Sequence, residues 1–119
     1  MSEVTPRPLS ASENELARWL IENSTIIEQA EKTKFLAELA RARVISKCDC
    51  GCASIGFEID GMKRPHGGLR SITEAVVGDN QFGIFIYEME DILAGMEIYG
   101  MANVDPPSAF PPITQIQII

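Results

Sequence analysis

The stretch Gly83-Ile-Phe-Ile-Tyr-Glu-Met-Glu-Asp-Ile-Leu-Ala-Gly-Met-Glu-Ile-Tyr-Gly100 carries the densest structural information in the chain, and it reads as a β-hairpin. Residues 84–87, Ile-Phe-Ile-Tyr, are β-branched and aromatic on both alternating faces, which suits a central strand covered above and below. On the return arm Ala94, Met96 and Ile98 point one way while Glu97 and Tyr99 point the other, the pattern of a half-exposed strand. Glu88, Glu90 and Asp91 fall at or near the turn between the arms.

Upstream of the hairpin the period of two continues. Residues 70–77 form a strand that Gly78-Asp79-Asn80 turns into the hairpin. Residues 54–59 form another, with Ile55, Phe57 and Ile59 alternating against Gly56, Glu58 and Asp60. From Ala42 a further strand places Ala42, Val44, Ser46 and Cys48 on one face and Arg43, Ile45, Lys47 and Asp49 on the other. Gly61-Met-Lys-Arg-Pro-His-Gly-Gly68 is rich in turn formers and basic side chains and reads as a loop.

Before residue 42 the period is helical. Ser10-Ala-Ser-Glu13 has the form of a capping box, followed by a stripe of Leu16, Trp19 and Leu20 that ends at Asn23-Ser24, with Trp19 as a core anchor. A second helix is expected over about residues 26–41, capped by Ser24 or Thr25, with Ala30, Phe35, Leu36, Ala37, Leu39 and Ala40 on its buried face. Pro6 and Pro8 make residues 1–8 an extended arm. Pro106, Pro107, Pro111 and Pro112 make residues 102–119 an extended tail, with Ile113, Ile116 and Ile118 available to cover apolar area. The 119 residues fit one domain of the α+β class. Because every link between strands is too short for a helical crossover, the expected architecture is an N-terminal α-hairpin (9–41) packed on a five-stranded antiparallel meander (42–101), ααβββββ.

Charge is distributed unevenly. The net charge is −7, and residues 71–119 hold seven acids and no Lys or Arg. Such a field disfavours nucleic acid, which is held by cations on phosphates, and favours a cationic partner. Glu74, Asp79, Glu88, Glu90, Asp91 and Glu97, interleaved with Tyr87 and Tyr99, are therefore the candidate partner-binding surface, since aromatic anchors ringed by charge are common at interfaces. The acids lack the loop spacing of a calcium site. No apolar run approaches a membrane span and the N-terminus carries no secretion pattern, so a cytoplasmic protein is expected, with no membrane partner.

The run Cys48-Asp-Cys-Gly-Cys52 is the sharpest local feature. As alternating residues of a strand these thiols would point inward as small apolar fillers. As ligands, with His66 as a fourth, they would form a Cys₃His metal site, although an extended Cys-x-Cys places its sulfurs about 6 to 7 Å apart, wider than the bite of the usual zinc spacing. A redox or catalytic thiol is the third reading. His66, beside Lys63 and Arg64, is a candidate general base. The chain contains none of the nucleophile-elbow, phosphate-loop, dinucleotide or His-Glu-x-x-His motifs, so neither an enzyme nor a bound cofactor is expected.

Cys48-Asp-Cys-Gly-Cys-Ala-Ser-Ile55 together with Gly95-Met-Glu-Ile-Tyr99 resembles a group of short, largely uncharacterised bacterial proteins. These pair a Cys-x-Cys-Gly-Cys-x-Ser-Ile segment with a hairpin ending in Leu-Glu-Ile/Val-Tyr; here Met96 replaces the Leu. In its small size, acidity and lack of a catalytic motif the chain is also similar to the immunity proteins of contact-dependent growth inhibition systems. That likeness implies a protein that binds and neutralises a basic nuclease toxin of tRNase or RNase type through its acidic surface. The alternative function is a cysteine-centred metal-binding or redox protein using Cys48, Cys50 and Cys52.

Overall fold

A computed structural model of the protein describes residues 2–62, 68–101 and 103–119. In chain order the elements are β1 (Ser2–Pro8), α1 (Ala11–Glu22), α2 (Gln29–Leu39), β2 (Ala42–Lys47), β3 (Ile55–Ile59), β4 (Arg70–Val77), β5 (Phe82–Met89), β6 (Ile92–Gly100), a 3₁₀ turn (Ile113–Gln115) and β7 (Ile116–Ile118). The class is α+β, but the five-stranded meander is wrong. Among the described residues there are seven strands in one antiparallel sheet, ordered β1-β2-β3-β6-β5-β4-β7.

Two physical facts account for the difference. The arm and the tail, expected to lie extended on the surface, each pair with an edge: β1 hydrogen-bonds to β2, and β7 to β4. Proline is tolerated at edges because a missing N–H there costs no ladder bond. The link from β3 to β4, residues 60–69, is too short for a helix, yet it is long enough to pass three strand spacings of about 4.8 Å each. It therefore carries the chain past β6 and β5, so the sheet consists of two consecutive three-strand runs joined through β3 and β6, with β7 added at the β4 edge.

The central hairpin is as expected, with Ile84 opposite Ile98 and Ile86 opposite Met96. Its turn residues Glu90 and Asp91 have φ of 50° and 64°, the left-handed pair that a two-residue type I′ turn needs to match strand twist. Asn-Gly or Asp-Gly adopts this geometry more readily. Here the turn is held by side chains instead: Glu88 accepts from the Asp91 amide at 2.6 Å, and the Lys34 ammonium donates to the Asp91 carbonyl.

One face of the sheet carries both helices. Ile55, Phe57, Ile72, Ala75, Val77, Ile84, Ile86, Met96 and Ile98 form a continuous apolar core with Leu16, Leu20, Ile21, Phe35 and Leu39. The capping box at Ser10 is present, with Glu13 N–H donating to Ser10 Oγ and Ser10 N–H donating to Glu13 Oε1. Burial raises the Glu13 pKa, but hydrogen bonds from the Arg7 guanidinium and Ser10 outweigh it and hold the carboxyl below its ordinary value. Trp19 is partly buried against the core.

The second helix starts three residues later than its periodicity suggests. Glu28 is the N-cap residue and makes no side-chain cap. Ser24, the expected cap, is buried and donates its hydroxyl to the Ile72 carbonyl at 2.6 Å, so it ties the interhelical turn to β4. From α2 the buried Glu38 accepts from the Leu93 amide at 2.8 Å, which fixes that helix against β6.

Candidate functional site

The three cysteines lie in the loop that closes the β2–β3 hairpin. The expected strand through Cys48 stops at Lys47, and a turn follows in which the Gly51 amide donates to the Cys48 carbonyl at 3.2 Å. Gly51 has φ of +86°, a conformation glycine adopts without the penalty a Cβ would impose. This turn replaces the extended geometry that keeps alternate side chains well apart. All three sulfurs lie within 4.8 Å of one another, and Cys48 Sγ is 2.6 Å from Cys50 Sγ. The inward, filler arrangement holds only for Cys52, which is buried; Cys48 is half-buried and Cys50 exposed.

The loop is anchored on three sides. Ser54, two residues after the last cysteine, is buried and accepts from the Ile98 amide at 2.9 Å while donating to the Ile98 carbonyl at 3.1 Å, so it is locked to β6. The Ala53 amide donates to the Pro107 carbonyl at 2.9 Å, which brings the C-terminal segment against the loop. The Ser2 hydroxyl donates to Asp49 Oδ1, tying the loop to β1. Nothing local in the sequence announces Ser54 or Pro107 as supports, because both act through residues more than forty positions away.

The thiols are electrostatically unequal. Cys48 is pushed up to about 11, chiefly by its hydrogen bond with Cys50. Burial pushes Cys52 up, but hydrogen bonds with Ser54 and Cys50 outweigh it and leave this thiol below its ordinary value. A set of soft thiolates converging from one loop is the arrangement that binds thiophilic metal ions. His66, the fourth ligand suggested by the sequence and a candidate base, lies outside the described residues. The nearest described residues in sequence are Met62, which bridges to Ile59 at the far end of β3, and Gly68, which leads into Arg70, opposite Glu88.

The eight residues proposed as one partner-binding surface fall in four places. Glu74, Phe85 and Glu97 form a single cross-strand row on the face away from the helices. Tyr99, 42% exposed, lies beside them with its ring over Gly83. Tyr87 shares that face but is only 2% exposed, its ring laid over Gly95, so it packs within the protein. Glu88 faces the helix layer and is buried. It accepts from Arg70 Nε at 3.1 Å, and the same guanidinium also reaches Glu31 at 2.6 Å, so its charge is used internally. Asp79 sits in the β4–β5 turn, while Glu90 and Asp91 sit at the opposite end of β5, a strand of 8 residues and about 26 Å away.

Phe85 was absent from the sequence-derived set, although it bridges the rings of that face, with centroids 5.8 Å from Tyr87 and 6.0 Å from Tyr99. The alternation Ile84-Phe-Ile-Tyr87 already placed it with Tyr87 and opposite the core isoleucines. Among the described residues, no helix is long and apolar enough to cross a membrane.

In comparisons with known proteins, no family model matches the chain, and neither a curated protein nor a solved structure matches it. Fold and side-chain geometry are what support a function.

Proposed function

We propose that the protein binds a thiophilic metal ion through Cys48, Cys50 and Cys52. The observation that carries this reading is the convergence of three sulfurs within 4.8 Å on a loop whose backbone is held by β6, β1 and the C-terminal segment. An inert core role needs no such convergence and would not leave Cys50 exposed. Exposure of one ligand also suits exchange, since an incoming thiol can attack the bound ion from that side.

Native mass spectrometry of the protein purified without chelator is expected to show the mass of one metal ion. The Cys48→Ser/Cys50→Ser/Cys52→Ser variant is expected to lose it while keeping its far-ultraviolet circular dichroism. A wild-type protein that is metal-free as purified and takes up no ion on titration would defeat this reading.

A second reading is favoured by the row Glu74, Phe85, Glu97 with Tyr99. The protein would then bind a basic partner, most concretely a nuclease toxin in the manner of an immunity protein. Strands beyond Arg70 contain no Lys or Arg to neutralise this row. The contact surface is smaller than the sequence suggests, excluding Tyr87 and Glu88 and leaving the two turns apart. With the product of the adjoining open reading frame as probe, Glu74→Lys/Glu97→Lys is expected to slow association about 10-fold or more at low salt, an effect that fades as salt rises. Unchanged association kinetics would set this face aside.

A further inference from the structure

Resting on the metal-binding reading, the structure carries one step further, to the kind of ion. We propose that Cys48, Cys50 and Cys52 form a three-coordinate, all-sulfur site for a monovalent d¹⁰ ion of the copper(I) class. The alternative is a four-coordinate site for zinc.

The first argument is ligand number. Among the described residues the three sulfurs are the whole group: no His, Asp or Glu oxygen or nitrogen joins them. Asp49, the one carboxylate inside the loop, accepts the Ser2 hydroxyl. His66 lies outside the described residues, so its part is decided by substitution. Zinc in a structural site closes a tetrahedron of four protein ligands. Three ligands, with no fourth among the described residues, suit an ion content with trigonal coordination.

Ligand softness and size agree. Thiolates without imidazole or carboxylate select soft ions, and copper(I) stands with zinc among those that sulfur holds best. Sulfurs around one ion at about 2.3 Å stand roughly 4 Å apart when trigonal. The three sulfurs already fall within 4.8 Å, so capture requires only that the exposed Cys50 side chain swing away from Cys48. The backbone need not move. Ser54 and the Pro107–Ala53 hydrogen bond hold the inner half of the loop in place.

The step balances without electron transfer. Three S–H bonds lose protons to solvent, three metal–sulfur bonds form, and the ion enters and remains monovalent. Proton release makes apparent affinity rise with pH, as for any thiolate site.

The test uses the full chain, reduced and kept anaerobic. Copper(I), maintained by ascorbate, is titrated against the coloured chelator bicinchoninate, and zinc is titrated in parallel against a zinc-binding dye. X-ray absorption then counts the ligands in the loaded protein. The expected result is one copper(I) per chain, three sulfur ligands, and affinity unchanged in His66→Ala. Cys50→Ser is expected to weaken binding about 100-fold or more, and because Cys50 is exposed this substitution leaves the fold intact. If the chain instead binds zinc with a nitrogen as fourth ligand, and His66→Ala abolishes it, the copper(I) assignment is overturned while the metal-binding reading stands. Should neither ion bind, both are overturned.

Discussion

Gly95→Ala is expected to destabilise the protein by about 1–3 kcal/mol, the usual cost of forcing an extra methyl into packed structure. A Cβ at this position would lie 2.4 Å from the Tyr87 hydroxyl and 2.7 Å from the Ile55 carbonyl. The first contact can be relieved by tilting a ring. The second cannot, because Ile55 is backbone in the neighbouring strand, paired with Met96 where β3 meets β6. That seam is what joins the two halves of the sheet. The double variant Gly95→Ala/Tyr87→Phe is expected to be less destabilised than the sum of the two singles, since the phenylalanine removes one of the clashing atoms. Urea denaturation of the four proteins measures the coupling. An additive result would mean that the Tyr87 hydroxyl is not what the added methyl meets.

A larger loss is expected for Phe57→Ala, about 3–5 kcal/mol. Phe57 is 0% exposed and stands at the centre of β3, opposite Val44 and surrounded by the core that both helices cover. Truncation removes a large apolar side chain and leaves a cavity that strands paired on both sides cannot close. Cooperative thermal unfolding should shift down by well over 10 °C, and metal capture at the adjoining cysteine loop should persist wherever the variant is still folded. A change of under 1 kcal/mol would show that the site repacks and that the core is looser than its burial implies.

Much of this fold was legible in residue order. The capping box at Ser10 and Glu13, the alternation of Ile55, Phe57 and Ile59, and the hairpin over residues 83–100 all rest on residue patterns or turns local in the chain. Periodicity reports such patterns directly. The late start of α2 was not legible, because Ser24 bonds to Ile72, forty-eight positions away, in preference to the helix N-terminus. How the acidic residues are distributed in space was not legible either. The interleaving of acids and tyrosines put Tyr87 and Glu88 on one binding surface, but Tyr87 packs over the glycine opposite it and Glu88 pairs with the arginine opposite it.

Residue order thus dictates the two helices and the five central strands, the apolar side of most of them, and the excess of negative charge on the later strands. These follow from backbone geometry that repeats every two or 3.6 residues. Strand neighbours, the pairing of both chain ends onto the edges, and the gathering of three sulfurs were settled by closure of the chain on itself. The link over residues 60–69 can reach several partners, and the turn at Gly51 converts well-separated side chains into a cluster. Such outcomes depend on which distant groups satisfy one another's hydrogen bonds and apolar area, and no local pattern encodes that choice.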